Sequence, residues 1–148
     1  MPDKTLGLFF ELFNEIAIIE QLSRTIFEAR LPKGLMVSHF SVLNHLVRVA
    51  DGRTPLQLAR AFQQPKTTMT HTLAGLEKHG FIRMEQNPED KRSKLVFITD
   101  EGRAFREDAI ERLAPDVARI AELVPPEHAG ALLPGLQELR QELDGMRS

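Results

Sequence analysis

Cysteine is absent from the chain, which excludes disulfides, thiolate zinc sites and thiol-based redox sensing together. Long apolar runs are missing as well. No stretch nears the roughly 20 residues needed to cross a bilayer, and the first ten residues have neither a basic start nor a small-residue cleavage site. The expectation is a cytoplasmic protein with no membrane association. No Gly-x-Ser-x-Gly elbow and no glycine-rich phosphate loop occurs, so an enzyme would lack both a nucleophile and a cofactor cradle. No catalytic residue and no cofactor are therefore expected. The five histidines, His39, His45, His71, His79 and His128, are scattered and offer no i, i+4 pair with a carboxylate, so no metal site is expected either.

A strong charge of one sign is also lacking: the net charge is −2, which at first argues against a polyanionic partner. The total hides a division. Basic and acidic residues number six and six over positions 1–59, seven and four over 60–94, and six and eleven over 95–148. Basic charge is therefore concentrated in the middle of the chain, and acidic charge in its last third. At 148 residues and 42% hydrophobic content the chain can form one real core.

Apolar residues recur at helical spacing through most of the sequence. Phe9, Phe13, Ile16, Ile19, Leu22 and Ile26 predict an amphipathic helix over 6–29, closed by Leu31-Pro32 and Gly34. Phe40, Leu43, Val47 and Ala50 predict a second helix over 38–50, stopped by Asp51-Gly52. Thr54-Pro55-Leu56-Gln57 supplies a cap, a first-turn proline and a capping-box partner for a short third helix ending at Phe62. After Gln63-Gln64-Pro65, a fourth helix places Met69, Thr72, Leu73 and Leu76 on one face and Thr67, Thr70, His71 and Ala74 on another, with Gly80 as its stop.

Phe81–Gln86 and Leu95–Ile98 read as strands of a β-hairpin whose tip is NPEDKRSK. Thr99-Asp100-Glu101 caps a long helix that Pro115 interrupts near Leu113. Pro125-Pro126 precedes a final helix with Pro134 in its first turn. There Leu132, Leu136, Leu139, Leu143 and Met146 step four and three residues at a time, a coiled-coil-like seam.

This order predicts a mainly α fold with a small β-hairpin wing, a winged helix-turn-helix at residues 35–99 flanked by helical dimerisation parts at 1–34 and 100–148. In such an arrangement the helix at about 65–79 enters the DNA major groove, with Lys66, Thr67, Thr70 and His71 on its outward side. Apolar faces on the terminal helices exceed what one small winged helix can cover. A homodimer is expected to bury Phe9, Phe13, Ile16 and the Leu132–Met146 seam, and to read a palindrome in double-stranded DNA.

Residues 35–102 resemble the multiple-antibiotic-resistance regulator (MarR) family. The resemblance rests on FSVLNHL, TPLQLARAF, TTMTHTLAGLEKHGFIRM, the wing-tip PEDKR and the ITDEGR that follows. It departs from that family's pattern at two helix starts: Met36 and Pro65 stand where threonine and serine caps are common. The resemblance implies a transcriptional regulator, most often a repressor, whose wing over 81–99 reaches the minor groove. There an arginine is drawn by negative potential, and Arg92 fills that role with Asp90 holding its guanidinium. Lys91, Lys94 and Arg83 then meet phosphates.

Many members of the family are released from DNA by small aromatic or phenolic molecules, and His39, Asn44, His45 and Arg48 are the polar candidates for such a pocket here. The competing reading is a winged-helix protein-interaction module with no specific DNA binding.

Overall fold

A computed structural model describes residues 3–147. Helix α1 (Asp3–Glu28) is followed by α2 (Val37–Arg48), α3 (Pro55–Ala61) and α4 (Lys66–Lys78). Strands β1 (Ile82–Gln86) and β2 (Lys94–Ile98) come next, then α5 (Asp100–Arg112), α6 (Ala114–Leu123) and α7 (Pro126–Gly145). The strands pair antiparallel with Ile82 opposite Ile98 and Gln86 opposite Lys94. Contacts divide the chain into two units, one ending at Arg112 and one beginning at Leu113. Among the described residues no helix is long and apolar enough to cross a membrane.

The core of the first unit takes the α4 face that the periodicity predicts, whereas α2 is turned so that Leu43 is buried with Val42 and Leu46 while Phe40, Val47 and Ala50 are only half-covered. Val42, Leu43 and Leu46 of α2, Leu58 and Ala59 of α3, and Met69, Leu73 and Leu76 of α4 close on Ile82, Val96 and Ile98 of the hairpin. The strands bury alternate residues because successive side chains leave opposite faces of a strand. Thr72, the buried polar residue among them, turns its hydroxyl to the Thr68 carbonyl at 3.2 Å.

Local chemistry fixes each joint around this core. The Thr54 hydroxyl accepts from the Gln57 amide at 3.1 Å while Gln57 Oε1 accepts from the Thr54 amide at 2.9 Å. This reciprocal cap is typically worth about 1 kcal/mol. Asp51 does more than end α2: its Oδ1 accepts from the Ile98 amide at 3.0 Å, and Arg53 bridges to Val96 on the free edge of β2. The wing is thereby sewn to the α2–α3 connection as well as to itself.

Thr99 ties three elements at once. Its hydroxyl donates to the Gly80 carbonyl at 2.6 Å and accepts from the Gly102 amide at 3.1 Å, while its own amide donates to the Phe81 carbonyl at 3.0 Å. Gly102 is required by proximity: a Cβ there would overlap the Phe81 carbonyl oxygen and come within 2.9 Å of Ile98 Cγ1. Above this joint the Phe81 ring stacks on Phe105 of α5, with centroids 4.6 Å apart.

The start of α2 solves the problem posed by Met36, whose side chain is a poor cap. The Met36 amide donates to His39 Nδ1 at 2.9 Å, and the Val37 amide donates to Glu28 Oε1 of α1 at 3.3 Å. Phe27 also meets Phe40 edge-on at 4.6 Å. The far side of the His39 ring lies against α4, where a Cβ on Gly75 would stand 2.9 Å from Nε2. Burial foremost, then His79 and His71, hold the His39 pKa below its ordinary value. Burial and Arg53 do the same to His45.

The second unit consists of α6 and α7. Pro115 lies in the first turn of α6, which accounts for the expected break at Leu113. Pro134 departs from expectation. Helix α7 starts at Pro126, so Pro134 lies inside the helix rather than in its first turn. Pro126 fills the first-turn position, where a missing N–H forfeits no helical bond. At Pro134 the chain gives up one bond, and the helix continues through it although Gly130 and Gly135 flank it, with Ala129, Ala131, Leu132, Leu133 and Leu136 as the good helix formers of the stretch.

Two outcomes follow for stability. Gly102→Ala forces α5 off the Phe81 carbonyl and is expected to cost about 2 kcal/mol in urea unfolding, despite alanine's better helix propensity; unchanged stability would remove the proximity argument. Because His39 and His45 titrate below the free-histidine value of about 6.5, their stabilisation is complete above that pH. It is lost as pH falls below 6.5 and through the lowered folded values. His39→Gln keeps a capping acceptor without titrating, so the variant should lose less stability than wild type between pH 7.5 and 5.

Candidate nucleic-acid interface

Helices α3 and α4 are joined by a tight turn in which Gln63 takes a left-handed φ of 51°. Pro65 then leads into α4, and no side chain caps it. Burying Met69, Thr72, Leu73 and Leu76 turns the other side of the helix outward. Lys66, Thr67, Thr70 and His71 are exposed, as the sequence predicts, together with Ala74 and Lys78. The result is a convex polar ridge whose leading end carries unpaired amide groups and the positive end of the helix dipole.

The wing projects from the same core. Its tip is held by short local bonds: the Glu89 amide donates to Asn87 Oδ1 at 3.0 Å, Asn87 Nδ2 to Ser93 Oγ at 3.0 Å, and Gln86 Nε2 to the Lys91 carbonyl at 2.7 Å. Asp90 Oδ1 accepts from both the amide and Nε of Arg92, at 2.9 and 3.3 Å. The carboxylate therefore fixes the root of the arginine while its side chain remains 92% exposed. Lys91 and Lys94 are exposed beside it. Arg83 is more engaged than the sequence suggests, lying 4.9 Å over the ring of Phe97, its cross-strand partner, with Glu85 at 3.9 Å.

The four polar residues of α2 do not converge. His39 faces Gly75 of α4. Asn44 Oδ1 accepts from Arg106 Nε of α5 at 3.0 Å, and His45 lies edge-on to Phe62 at 5.5 Å. Arg48 is exposed in the last turn. His39, Asn44 and His45 serve as packing links from α2 to three neighbours rather than as one wall. Three buried polar atoms, His45 Nε2, Arg53 Nε and Gln64 Oε1, have no hydrogen-bond partner among the described residues.

Sequence reasoning put Ala74 on the outward face without giving it a role, and passed over Lys78 on the α4 ridge, Arg106 against Asn44, and the tie of Asp51 to the wing. Lys78 was available from the same periodicity that gave the buried face, by stepping on from Thr70 and Ala74. The other two are contacts across 62 and 47 positions, which no local pattern announces.

A model of the MarR family matches residues 33–93. The transcriptional repressor YetL of Bacillus subtilis is 28% identical over 140 residues, covering 94% of this chain and 82% of YetL. The transcriptional regulator BldR of Sulfolobus solfataricus superposes with a TM-score of 0.78 at 27% identity, over 96% of this chain and 99% of BldR. The repressor CouR bound to a 23-mer DNA duplex superposes with a TM-score of 0.74 at 28% identity, over 91% of this chain and 96% of CouR. CouR of Rhodococcus jostii RHA1 bound to p-coumaroyl-CoA superposes at 0.68 with 24% identity, over 84% and 87%. With the order of helices, the hairpin and the wing tip already described, these matches support a MarR-family winged helix-turn-helix transcriptional regulator.

Proposed function

We propose that this regulator is a cytoplasmic homodimeric repressor, without catalytic activity, that binds a palindromic operator through α4 in the major groove and the wing in the minor groove. The observation that carries the reading is the wing tip: an almost fully exposed Arg92 whose root is fixed by Asp90, on the same core as an outward, uncapped α4. A guanidinium held in this way loses less freedom on entering a narrow groove than a free one would. The bare amides at the start of α4 suit a phosphate. Lys66, Lys91 and Lys94 add contacts that attract without choosing sequence, and Thr67, Thr70 and His71 face base edges.

Dimerisation is supported by what each unit leaves uncovered. No residue of α1, α6 or α7 is buried, yet α1 exposes Leu6, Leu8, Phe9, Phe10 and Phe13, and α7 with its C-cap exposes Leu132, Leu136, Leu143 and Met146. Ile16 and Leu139 are half-covered in the same stripes. A second copy related by a twofold axis would bury such faces and set two reading heads roughly 10 bp apart.

Release by a small aromatic or phenolic effector is the remaining part of the reading. It is supported by the route from α1 to the reading helix: Glu28 and Phe27 hold the start of α2, and His39 of α2 leans on α4. A ligand that favours one setting of that route shifts DNA affinity by its differential binding.

Fluorescence anisotropy with the protein's own upstream DNA and a scrambled duplex, across a salt series, tests the DNA reading. Wild type is expected to prefer the upstream duplex and to weaken steeply with salt. Arg92→Ala should bind about tenfold more weakly, with a salt slope reduced by about one for each arginine removed. Arg92→Lys should recover little of this, because an ammonium lacks the fork. Equal weak binding to both duplexes, indifferent to Arg92, would instead favour a protein-docking module. For the dimer, light scattering of wild type should give twice the chain mass, and Leu136→Glu should shift it toward monomer at micromolar concentration; a monomeric wild type would end the palindrome model.

A further inference from the structure

We infer that the base-reading ridge of α4 selects thymine by its methyl group, with Thr67, Thr70 and Ala74 as the specificity-determining residues. The inference rests on the DNA reading above. Directly opposite the buried stripe of Met69, Leu73 and Leu76 run Thr67, Thr70, His71, Ala74 and Lys78. Three of these five present a methyl group and no long polar arm. The strongest base-discriminating pairs need arginine or lysine against guanine, or asparagine or glutamine against adenine. No arginine, asparagine or glutamine occurs anywhere in α4.

The lysines are at the wrong places for the central bases. Lys66 and Lys78 are the first and last residues of α4, about 18 Å apart along the helix. They straddle the ridge and suit the phosphates bordering a groove about 12 Å wide. Apart from His71, what is left between them on the ridge is short, so contact by Thr67, Thr70 and Ala74 requires α4 to lie close to the floor of the groove. Alanine and threonine methyls there meet the one apolar feature of the major-groove edge, the C5 methyl of thymine.

The threonines favour this reading further. A helical threonine can turn its hydroxyl back to the carbonyl one turn earlier, as Thr72 does to Thr68. The same rotamer at Thr70 would engage the hydroxyl with the Lys66 carbonyl and direct the methyl outward. His71 is the one side chain among Thr67, Thr70, His71 and Ala74 able to read a guanine edge, which makes it the competing determinant.

The test begins by selecting bound sequences from a randomised duplex library with the full-length protein. Each thymine of the selected site is then replaced in turn by deoxyuridine, which removes only the methyl, and binding is measured by anisotropy with wild type and with Thr70→Ser and Ala74→Ser. At the contacted positions uracil should weaken wild type about fourfold per buried methyl, compounding over the two half-sites. Thr70→Ser keeps the hydroxyl and should lose a similar factor on the thymine duplex but almost nothing on the matching uracil duplex. That non-additivity distinguishes a methyl contact from a change in folding.

If a site is selected and its thymine and uracil forms bind alike, the inference is wrong while the regulator stands. A site led by guanines and sensitive to His71→Ala would say the same. If no sequence is enriched at all, the DNA reading itself fails and this one falls with it.

Discussion

The hydroxyl of Thr99 holds together the parts whose relative setting matters most. It joins the residue that ends α4, through the Gly80 carbonyl, to the first turn of α5, through the Gly102 amide. The Thr99 backbone meanwhile closes the base of the hairpin on Phe81. Helix, wing and following helix are therefore set by one short side chain and one missing Cβ. A swing of the wing relative to α4 would have to break a 2.6 Å bond, and the companion bond from the Gly102 amide is partly buried, where an unmade polar pair is costly. This turns two small elements into a rigid pair.

Much of this was legible in the sequence because it obeys local rules. The Met69–Leu76 stripe, the Thr54 capping box and the strand alternation are each dictated by neighbours within four positions. Pro115 broke its helix as its missing amide requires. Pro134 did not, because the choice between starting α7 at Pro126 or near Pro134 depends on summed helix propensity over the residues between them, which a rule about single prolines ignores. The links that escaped are those made across the fold: Asp51 to Ile98, Asn44 to Arg106, Glu28 to Val37. The polar residues of α2 were legible as polar but not as members of three separate contacts.

Net charge proved a poor guide for a related reason. A chain with 19 basic and 21 acidic residues looks neutral from a distance, yet screening confines electrostatic attraction to about 10 Å in ordinary salt. Within that range of the wing tip stand Arg92, Lys91 and Lys94, so local charge counts for more than the total. The carboxylates nearest the tip are not idle either, since Asp90 spends its charge fixing Arg92 in place.

The tethering of Arg92 within a seven-residue loop has a kinetic consequence. Every bond that shapes the tip, from Asn87 to Ser93 and from Asp90 to Arg92, is made within the loop or to the adjoining strand. The free protein thus carries its wing already folded, and no segment has to order itself after first collision. Encounter with a duplex is then limited by diffusion and steering rather than by a conformational search. Changes at the tip that keep its charge should register mainly in how long the complex lives, not in how quickly it forms.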